Sequence, residues 1–582
     1  MSKAKAVLDG CSLTCSQLTK LGGQGASIQI GVDAMAKVVR AREMVDNLVE
    51  RGFNEGHVAY GINTGFGLFS NIVVENDQLT DLQNNLIRSH CAGIGDPISR
   101  EQTRRLLALR INVLAKGHSG IRPETLDQMV AAFNADCMSV VPAKGTVGAS
   151  GDLAPLSHLA LGLMGEGPMW DPDTGAIGEA AEILARKGLS PITLQAKEGL
   201  AMINGTQLMS SIGADAVTRA ENVAMCADIA CALSVEALKG TPRSFEPCIH
   251  AVRPHQGQVE VAGRLISLLT PLSEMYSSHN YTGQVQDAYS LRCSPQVHGI
   301  VHDTIRFVGG VLDVELNSAT DNPMVFSGAD GFEIVCGDNA TLEDQEAARQ
   351  DWGGVLKKRT SDTFYNAGDG FVISGGNFHG EYPAKVLDYL AIGVSELGNI
   401  SERRLERLVN PSLSGLPAFL TNEPGLNSGF MIAHCTSAAL CSENKVLSHP
   451  SSVDTISTSG AKEDHVSMGG FAARKALETV SHVETIVAIE ILAACQALEN
   501  FRPLKTTDAL EAVHALVREK VPPLGVDRYM TADIEAVTEI IRSGAIVEAV
   551  QPHLALHSHR TAAEMEAEIL ELRAQLAEKE TK

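Results

Sequence analysis

Along this chain apolar residues recur at helical spacing over long stretches and alternate at strand spacing almost nowhere. In the run LETVSHVETIVAIEIL, Leu477, Val480, Val483, Val487 and Leu492 approximate one stripe on a helix expected over residues 472–499. The segment EQTRRLLALRINVLAKG interleaves charges with leucines and closes on glycine, which predicts a helix over 101–117. Residues 217–239 and 384–409 repeat that pattern. Polar, glycine-rich stretches separate these runs, so the reading is a mainly α protein with long packed helices and small irregular or β pieces, mostly in the first two hundred or so residues. Residues 327–370 are polar and read as a long surface loop enclosing a short helix. Near the end, Met565, Ile569, Leu572 and Leu576 step by four and three among glutamates, the pattern of a surface helix rather than of a sustained coiled coil.

Composition narrows the function classes. The 582 residues are 44% hydrophobic and 20% charged, enough apolar material for a large core. The formal net charge of −23 argues against a nucleic acid or an anionic membrane surface as partner, because each needs a basic footprint. The first residues lack the apolar core of a secretory leader, and the apolar run VETIVAIEILAAC is interrupted by glutamates, so no membrane span is expected. Twelve cysteines without regular spacing fit reduced thiols, and the location expected is the cytoplasm. HExxH, GxxxxGK[ST], GxSxG and a strand-borne GxGxxG are all missing, which disfavours a nucleotide cofactor. His379, Glu381 and His465 do not have the spacing that puts metal ligands on one helix face, and no metal is expected.

What neither periodicity nor turn chemistry explains is a series of polar islands: AYGINTGFG, NNLIRSHCAG, GTVGASGDLAPLSHLALG, AMINGTQ, VQDAYSLRC, SGGNFHGE and SGAKEDHVSMGG. In the third, three very small residues, Ala149, Ser150 and Gly151, precede Asp152 and Pro155, which are ordinary helix-start signals. In this order the islands resemble those of the aromatic amino acid ammonia-lyases whose electrophile, 4-methylideneimidazole-5-one (MIO), forms from the chain itself, and among them the histidine ammonia-lyases. The resemblance runs from about residue 56 to residue 503.

That resemblance implies the rest. Ala149, Ser150 and Gly151 form the cofactor with Asp152 assisting closure. Gly151 lacks the Cβ that would keep its nitrogen from a neighbouring carbonyl, and Ser150 has the β-hydroxyl that leaves. Tyr60 takes the role of base for the β proton, which requires its proton affinity to be lowered from an ordinary pKa of about 10. Arg292 matches the grip on the substrate carboxylate. Tyr289, Gln286 and Asn204 match polar neighbours of cofactor and amine, and Phe378 an aromatic wall. His90 and Glu463 match the contacts to the substrate side chain, where an imidazole offers one donor and one acceptor. Relatives acting on phenylalanine usually carry Phe-Leu where this chain has Ser89 and His90, which points to L-histidine and to the products trans-urocanate and ammonia. The alternatives are a tyrosine or phenylalanine ammonia-lyase or aminomutase of the same fold, and a helical scaffold without chemistry. The implied architecture is a smaller N-terminal α+β domain carrying MIO (residues 1–225), a long central helical bundle (226–555, with the insertion 327–370) and a helical tail (556–582), assembled as a homotetramer whose active sites are shared between subunits.

Overall fold

The structure, a computed structural model, describes residues 5–55, 60–278, 285–327, 343, 364–366 and 370–554. The expected tail and most of the long polar segment lie outside these residues. The chain is 62% helical with few strands, as the spacing of apolar positions predicts. Among the helices are α1 (Leu79–His90), α2 (Arg100–Ala115), α3 (Leu153–Leu163), α4 (Glu198–Ile203), α5 (Gln207–Ala237), α6 (Ser294–Leu316), α7 (Glu381–Val409) and α8 (Gly469–Leu498).

Local chemistry sets where they begin. Helix α2 opens on a capping box in which the Ser99 hydroxyl accepts from the Gln102 backbone while the Gln102 side chain accepts from the Ser99 N–H. From Leu106 to Ala115 every residue of α2 is buried, so Arg110 within that run must find its partners inside the protein. Helix α7 starts three residues before its apolar periodicity because Pro383 is tolerated in a first turn. Helix α5 starts ten residues before the stripe read from sequence, because the small residues of QLMSSIGADA are buried on all sides and show no polar face.

The described residues fall into two units. One draws on Met1–Thr218, Val308–Tyr389 and Pro450–Leu477, the other on Arg219–Phe307, Leu390–His449 and Glu478–Lys582. This grouping crosses the contiguous division drawn from sequence, since α5, α6, α7 and α8 each contribute residues to both.

In the first unit α1, α3 and α4 pack against one another. All the described strands lie in this unit and form four small sheets. Ala6–Leu8 pairs in parallel with Ile28–Ile30 in the register Ala6↔Ile28. Ile94–Pro97 pairs antiparallel with Pro142–Lys144, just ahead of the Ala149 to Gly151 triplet. The reading of residues 327–370 as a loop is corrected at its ends. Met324–Ser327, Gly370–Ile373 and Phe364–Asn366 form a three-stranded antiparallel sheet, in the register Phe371↔Phe326 and Val372↔Tyr365. Phe364–Asn366 and Gly370–Ile373 stand only three residues apart, a hairpin spacing that the polar reading of the segment passed over, whereas Met324–Ser327 is too far along the chain for any turn signal.

The second unit is held by buried charge. Arg404 makes a two-pronged contact with Glu490, Nε to Oε1 at 2.6 Å and Nη2 to Oε2 at 2.8 Å, with both side chains fully buried. The hydroxyls of Ser234 and Ser401 each donate to the same carboxylate at 2.6 Å. Asp228 is bound by His298 at 2.5 Å, by His302 at 3.0 Å and by Arg264. Burial alone would raise Asp228, but these partners hold it far below the carboxylate range. The span Gly469–Phe501, which contains α8, is long and apolar enough by composition alone to cross a membrane, a test that a buried core helix also passes. However, 83% of its apolar window is buried inside the protein, and its glutamates Glu484 and Glu490 are engaged by Arg219 and Arg404.

Candidate active site

A cavity of about 1990 Å³ in the first unit brings together Tyr60, His90, Ser150, Asn204, Phe378 and Glu463. Its walls come from the packed helices: His90 ends α1, the triplet precedes α3 and Asn204 follows α4. Two loops also converge on Val147 and Gly148. The Val147 carbonyl accepts from the N–H groups of Ser467 (3.2 Å) and Met468 (2.9 Å), and the Gly148 carbonyl accepts from Gly380 N–H at 3.0 Å and Ser467 Oγ at 3.1 Å. The loop of Glu463 and the loop of Phe378 are thereby fastened to the residues just before Ala149.

Gly151 has φ +73°, and a Cβ there would lie 2.1 Å from the Gly205 carbonyl oxygen, so only glycine fits. The Asp152 N–H donates to that carbonyl at 2.7 Å. Asp152 does occupy the N-cap of α3, but its side chain makes no capping bond, a correction to the ordinary reading of that residue. Its carboxylate instead accepts from Met209 N–H at 3.0 Å and Thr146 Oγ1 at 3.1 Å. Complete burial pushes this carboxyl up to about 7, against the lowering effect of those bonds, with Glu315 raising it further.

Glu463 sits on a strained turn in which Ser459 and Ala461 have φ of +52° and +64°, conformations that cost about 1–3 kcal/mol each. Its Oε1 accepts from Ser150 Oγ at 2.5 Å, and its Oε2 from Thr458 Oγ1 at 2.8 Å and Ser459 Oγ at 2.7 Å. Burial raises the carboxyl, but these three donors and nearby His90 outweigh it and hold Glu463 below its usual value. His90 Nδ1 lies 2.8 Å from the Leu86 carbonyl, which can only accept, so Nδ1 carries a proton and leaves Nε2 free to face the cavity.

Tyr60 runs against the expectation of a lowered proton affinity. Burial raises its pKa and the Glu463 charge raises it further, opposed only by the Gly67 N–H, which donates to the phenol oxygen at 3.4 Å. Asn204 is 5% exposed and its Oδ1 has no hydrogen-bond partner among the described residues, an unsatisfied acceptor in the cavity wall. Gln286, Tyr289 and Arg292 belong to the second unit. Gln286 is exposed, Tyr289 is 71% exposed, and the Arg292 guanidinium lies 4.8 Å from the Tyr289 ring centre. His379 and His465 stack at 5.7 Å, and no group of three or more possible metal ligands occurs among the described residues.

Sequence reading passed over Thr458 and Ser459, although the hydroxyl-rich STSG just before Glu463 is the signal for them. It also passed over Arg110, a lone cation inside the apolar run LLALRINVLA, where burial rather than exposure is the informative outcome.

Comparison with known proteins agrees with this geometry. The family described as aromatic amino acid lyase matches residues 13–519. The chain belongs to that family. It is 55% identical to the histidine ammonia-lyase of Bos taurus over 94% of this chain and 77% of that protein. It is 47% identical to that of Anaeromyxobacter sp. (strain K), over 93% and 99%. Among solved structures, histidine ammonia-lyase from Trypanosoma cruzi superposes with TM-score 0.81 at 50% identity, over 94% of this chain and 96% of that one. Tyrosine aminomutase from Streptomyces globisporus superposes with TM-score 0.82 at 33% identity, over 96% and 100%. The chain is therefore a lyase of mainly α fold, with a small molecule as its substrate.

Proposed function

We propose that this protein eliminates ammonia from L-histidine to give trans-urocanate, the first step of histidine breakdown, using MIO formed from Ala149, Ser150 and Gly151. The observation that carries the reading is the junction of Glu463 with Ser150 at 2.5 Å in a cavity that His90 also lines. It places an ionised carboxylate beside the residue that would become the electrophile.

The residues fit the group. Ring closure joins the Gly151 nitrogen to the Ala149 carbonyl carbon, whose oxygen leaves as water with the Gly151 and Ser150 amide hydrogens. Ser150 then loses its Oγ and Cα hydrogen as a second water, and no oxidant is needed. Gly151 has φ +73° and lies against the Gly205 backbone where no Cβ would fit, and Asp152, with a pKa of about 7, both gives and takes protons near neutrality. MIO supplies an electrophile that no ordinary side chain offers.

The chain's own residues do the rest. Glu463 accepts from the imidazole N–H and His90 faces the other ring nitrogen, and a phenyl ring would leave both unpaired at a cost of about 10⁴-fold in preference. The orphaned Asn204 Oδ1 accepts from the substrate ammonium. Phe378 forms an aromatic wall. Tyr60 removes the β proton; its raised pKa means that it acts once the bound substrate's positive charge offsets Glu463. Arg292 grips the carboxylate, assisted by Gln286 and Tyr289. The exposure of those two residues, and a cavity larger than the ~300–1,000 Å³ usual for a ligand site, support a homotetramer in which each site is completed by other copies. The cytoplasm is the proposed location.

The test is incubation of purified protein with L-histidine, L-tyrosine or L-phenylalanine, following urocanate, coumarate or cinnamate by ultraviolet absorbance. Urocanate alone is expected. Preferred turnover of tyrosine or phenylalanine would transfer the reading to the corresponding lyases or aminomutases, and an intact mass equal to the full sequence mass in inert protein would make the chain a scaffold.

A further inference from the structure

The Ala149 to Gly151 turn lies close against the Gly205 backbone, and Gly205 is itself backed by a buried cation. Helix α4 ends at Ile203, leaving carbonyls at Ala201 and Asn204 without partners at the negative end of the helix. Arg110 of α2 meets both: Nη2 donates to the Ala201 carbonyl, and Nη1 to the Asn204 carbonyl at 2.7 Å and to Gln207 Oε1 at 2.6 Å. Gln207 is anchored in turn, its Nε2 donating to Thr320 Oγ1 at 2.7 Å.

The Gly205 backbone is closed in on both sides. A Cβ at Gly205 would lie 2.4 Å from Gln207 Oε1 and 2.8 Å from Arg110 Nη1. On the other face, a Cβ at Gly151 would meet the Gly205 oxygen, carbon and nitrogen at 2.1, 2.4 and 2.5 Å. The Arg110 guanidinium and the Gln207 amide it holds therefore lie against the Gly205 backbone, Gly151 lies against that same backbone, and the Asp152 N–H bond to Gly205 ties it to the triplet.

Arg110 is an expensive way to fill a core. It is fully buried, and among the described residues its Nε has no partner and it makes no ion pair, since nearby Asp321 is bound to Lys197 at 3.1 Å. Burial lowers its pKa to about 10, with Asp321 opposing. The residues flanking it on α2 fill the same core with apolar side chains.

We propose that Arg110 is a positioning residue for cofactor formation: by fixing the Ala201 and Asn204 carbonyls and Gln207, it presses the Asn204–Gly205 backbone onto Gly151 and holds the triplet in the bent form that ring closure needs. It touches neither substrate nor reacting atoms. This inference rests on the proposed function, and one measurement separates the two.

That measurement is the intact mass of the soluble full chain, wild type against Arg110→Lys, with circular dichroism and thermal unfolding alongside. Lysine keeps the charge but cannot span two carbonyls and an amide. The wild type is expected to be lighter than its sequence mass by two waters. Arg110→Lys is expected to keep its helical signal while its dehydrated fraction at purification falls about tenfold or more, the scale of one lost charged hydrogen bond. Complete dehydration in Arg110→Lys overturns the inference, and so does a lowered unfolding temperature without a change in that fraction. Wild-type protein that turns over histidine at full sequence mass overturns the proposed chemistry instead. If Arg110→Lys does not accumulate, Gly205→Ala decides, because its methyl displaces the same peptide while leaving the charge in place; full dehydration there overturns the inference equally.

Discussion

The two units bury polar groups to opposite ends. In the second, two buried acids are fully answered: Glu490 receives both prongs of Arg404 and two serine hydroxyls, and Asp228 receives two histidines and an arginine. In the first, around the cavity, the answers are incomplete. Asn204 Oδ1 is unpaired, Arg110 is spent on carbonyls, and Asp152 is left near neutrality. Saturated networks hold elements in register, whereas unsatisfied buried groups persist where chemistry or a ligand uses them. The contrast separates structural from functional polarity without reference to any relative.

The strongest way to break this contrast is Ser150→Ala. It should leave the circular dichroism spectrum intact, abolish urocanate formation and leave the mass at the value of the unmodified sequence; residual turnover near wild type would remove the chemistry altogether. Next comes Tyr60→Phe, expected to lower kcat by about 10²–10⁴ while leaving dehydration complete. Because the Tyr60 pKa is raised, wild-type kcat/KM should climb as pH rises into the alkaline range, and a pH profile of Tyr60→Phe should lose that limb.

In the second unit the sign of the effect changes. Arg404→Met strands Glu490 and should cost about 3–5 kcal/mol in urea unfolding, yet activity per folded chain should hold. A variant of normal stability but poor turnover would erase the distinction between the units. Glu463→Gln is the gentlest probe: loss of a charged acceptor should raise KM for histidine by roughly 10–100-fold. For the wild type, the Glu463 contribution is present above the ordinary carboxylate range and is lost as pH falls through its lowered pKa, so KM measured downward from neutral pH should rise only at strongly acid values.

The helices were legible because their apolar stripes repeat over many turns, as in α8, whose Val480, Val483 and Val487 are fully buried. The cavity residues that one strand of chemistry unites, Ser150, His90 and Glu463, were legible through their motifs. Partners were not. Asp152 followed by an apolar helix reads as a cap, and nothing local tells that its carboxylate turns to Met209 instead. Left-handed Ser459 and Ala461 were equally hidden, because a non-glycine residue in that conformation is held by its tertiary surroundings. The pairing of residues 324–327 with 370–373 escaped because it spans more chain than any turn signal covers, while that of 364–366 with 370–373, three residues apart, was hidden by the shortness of the runs within a polar segment.

The 2.5 Å contact between the Ser150 hydroxyl and Glu463 Oε1 has a further outcome. On the proposed chemistry that hydroxyl is the atom discarded during maturation, so a newborn chain masks the carboxylate that reads the imidazole with the very oxygen it has yet to shed. Departure of one water then arms the electrophile and uncovers the recognition group together, and an immature molecule is blind to its substrate as well as inert toward it.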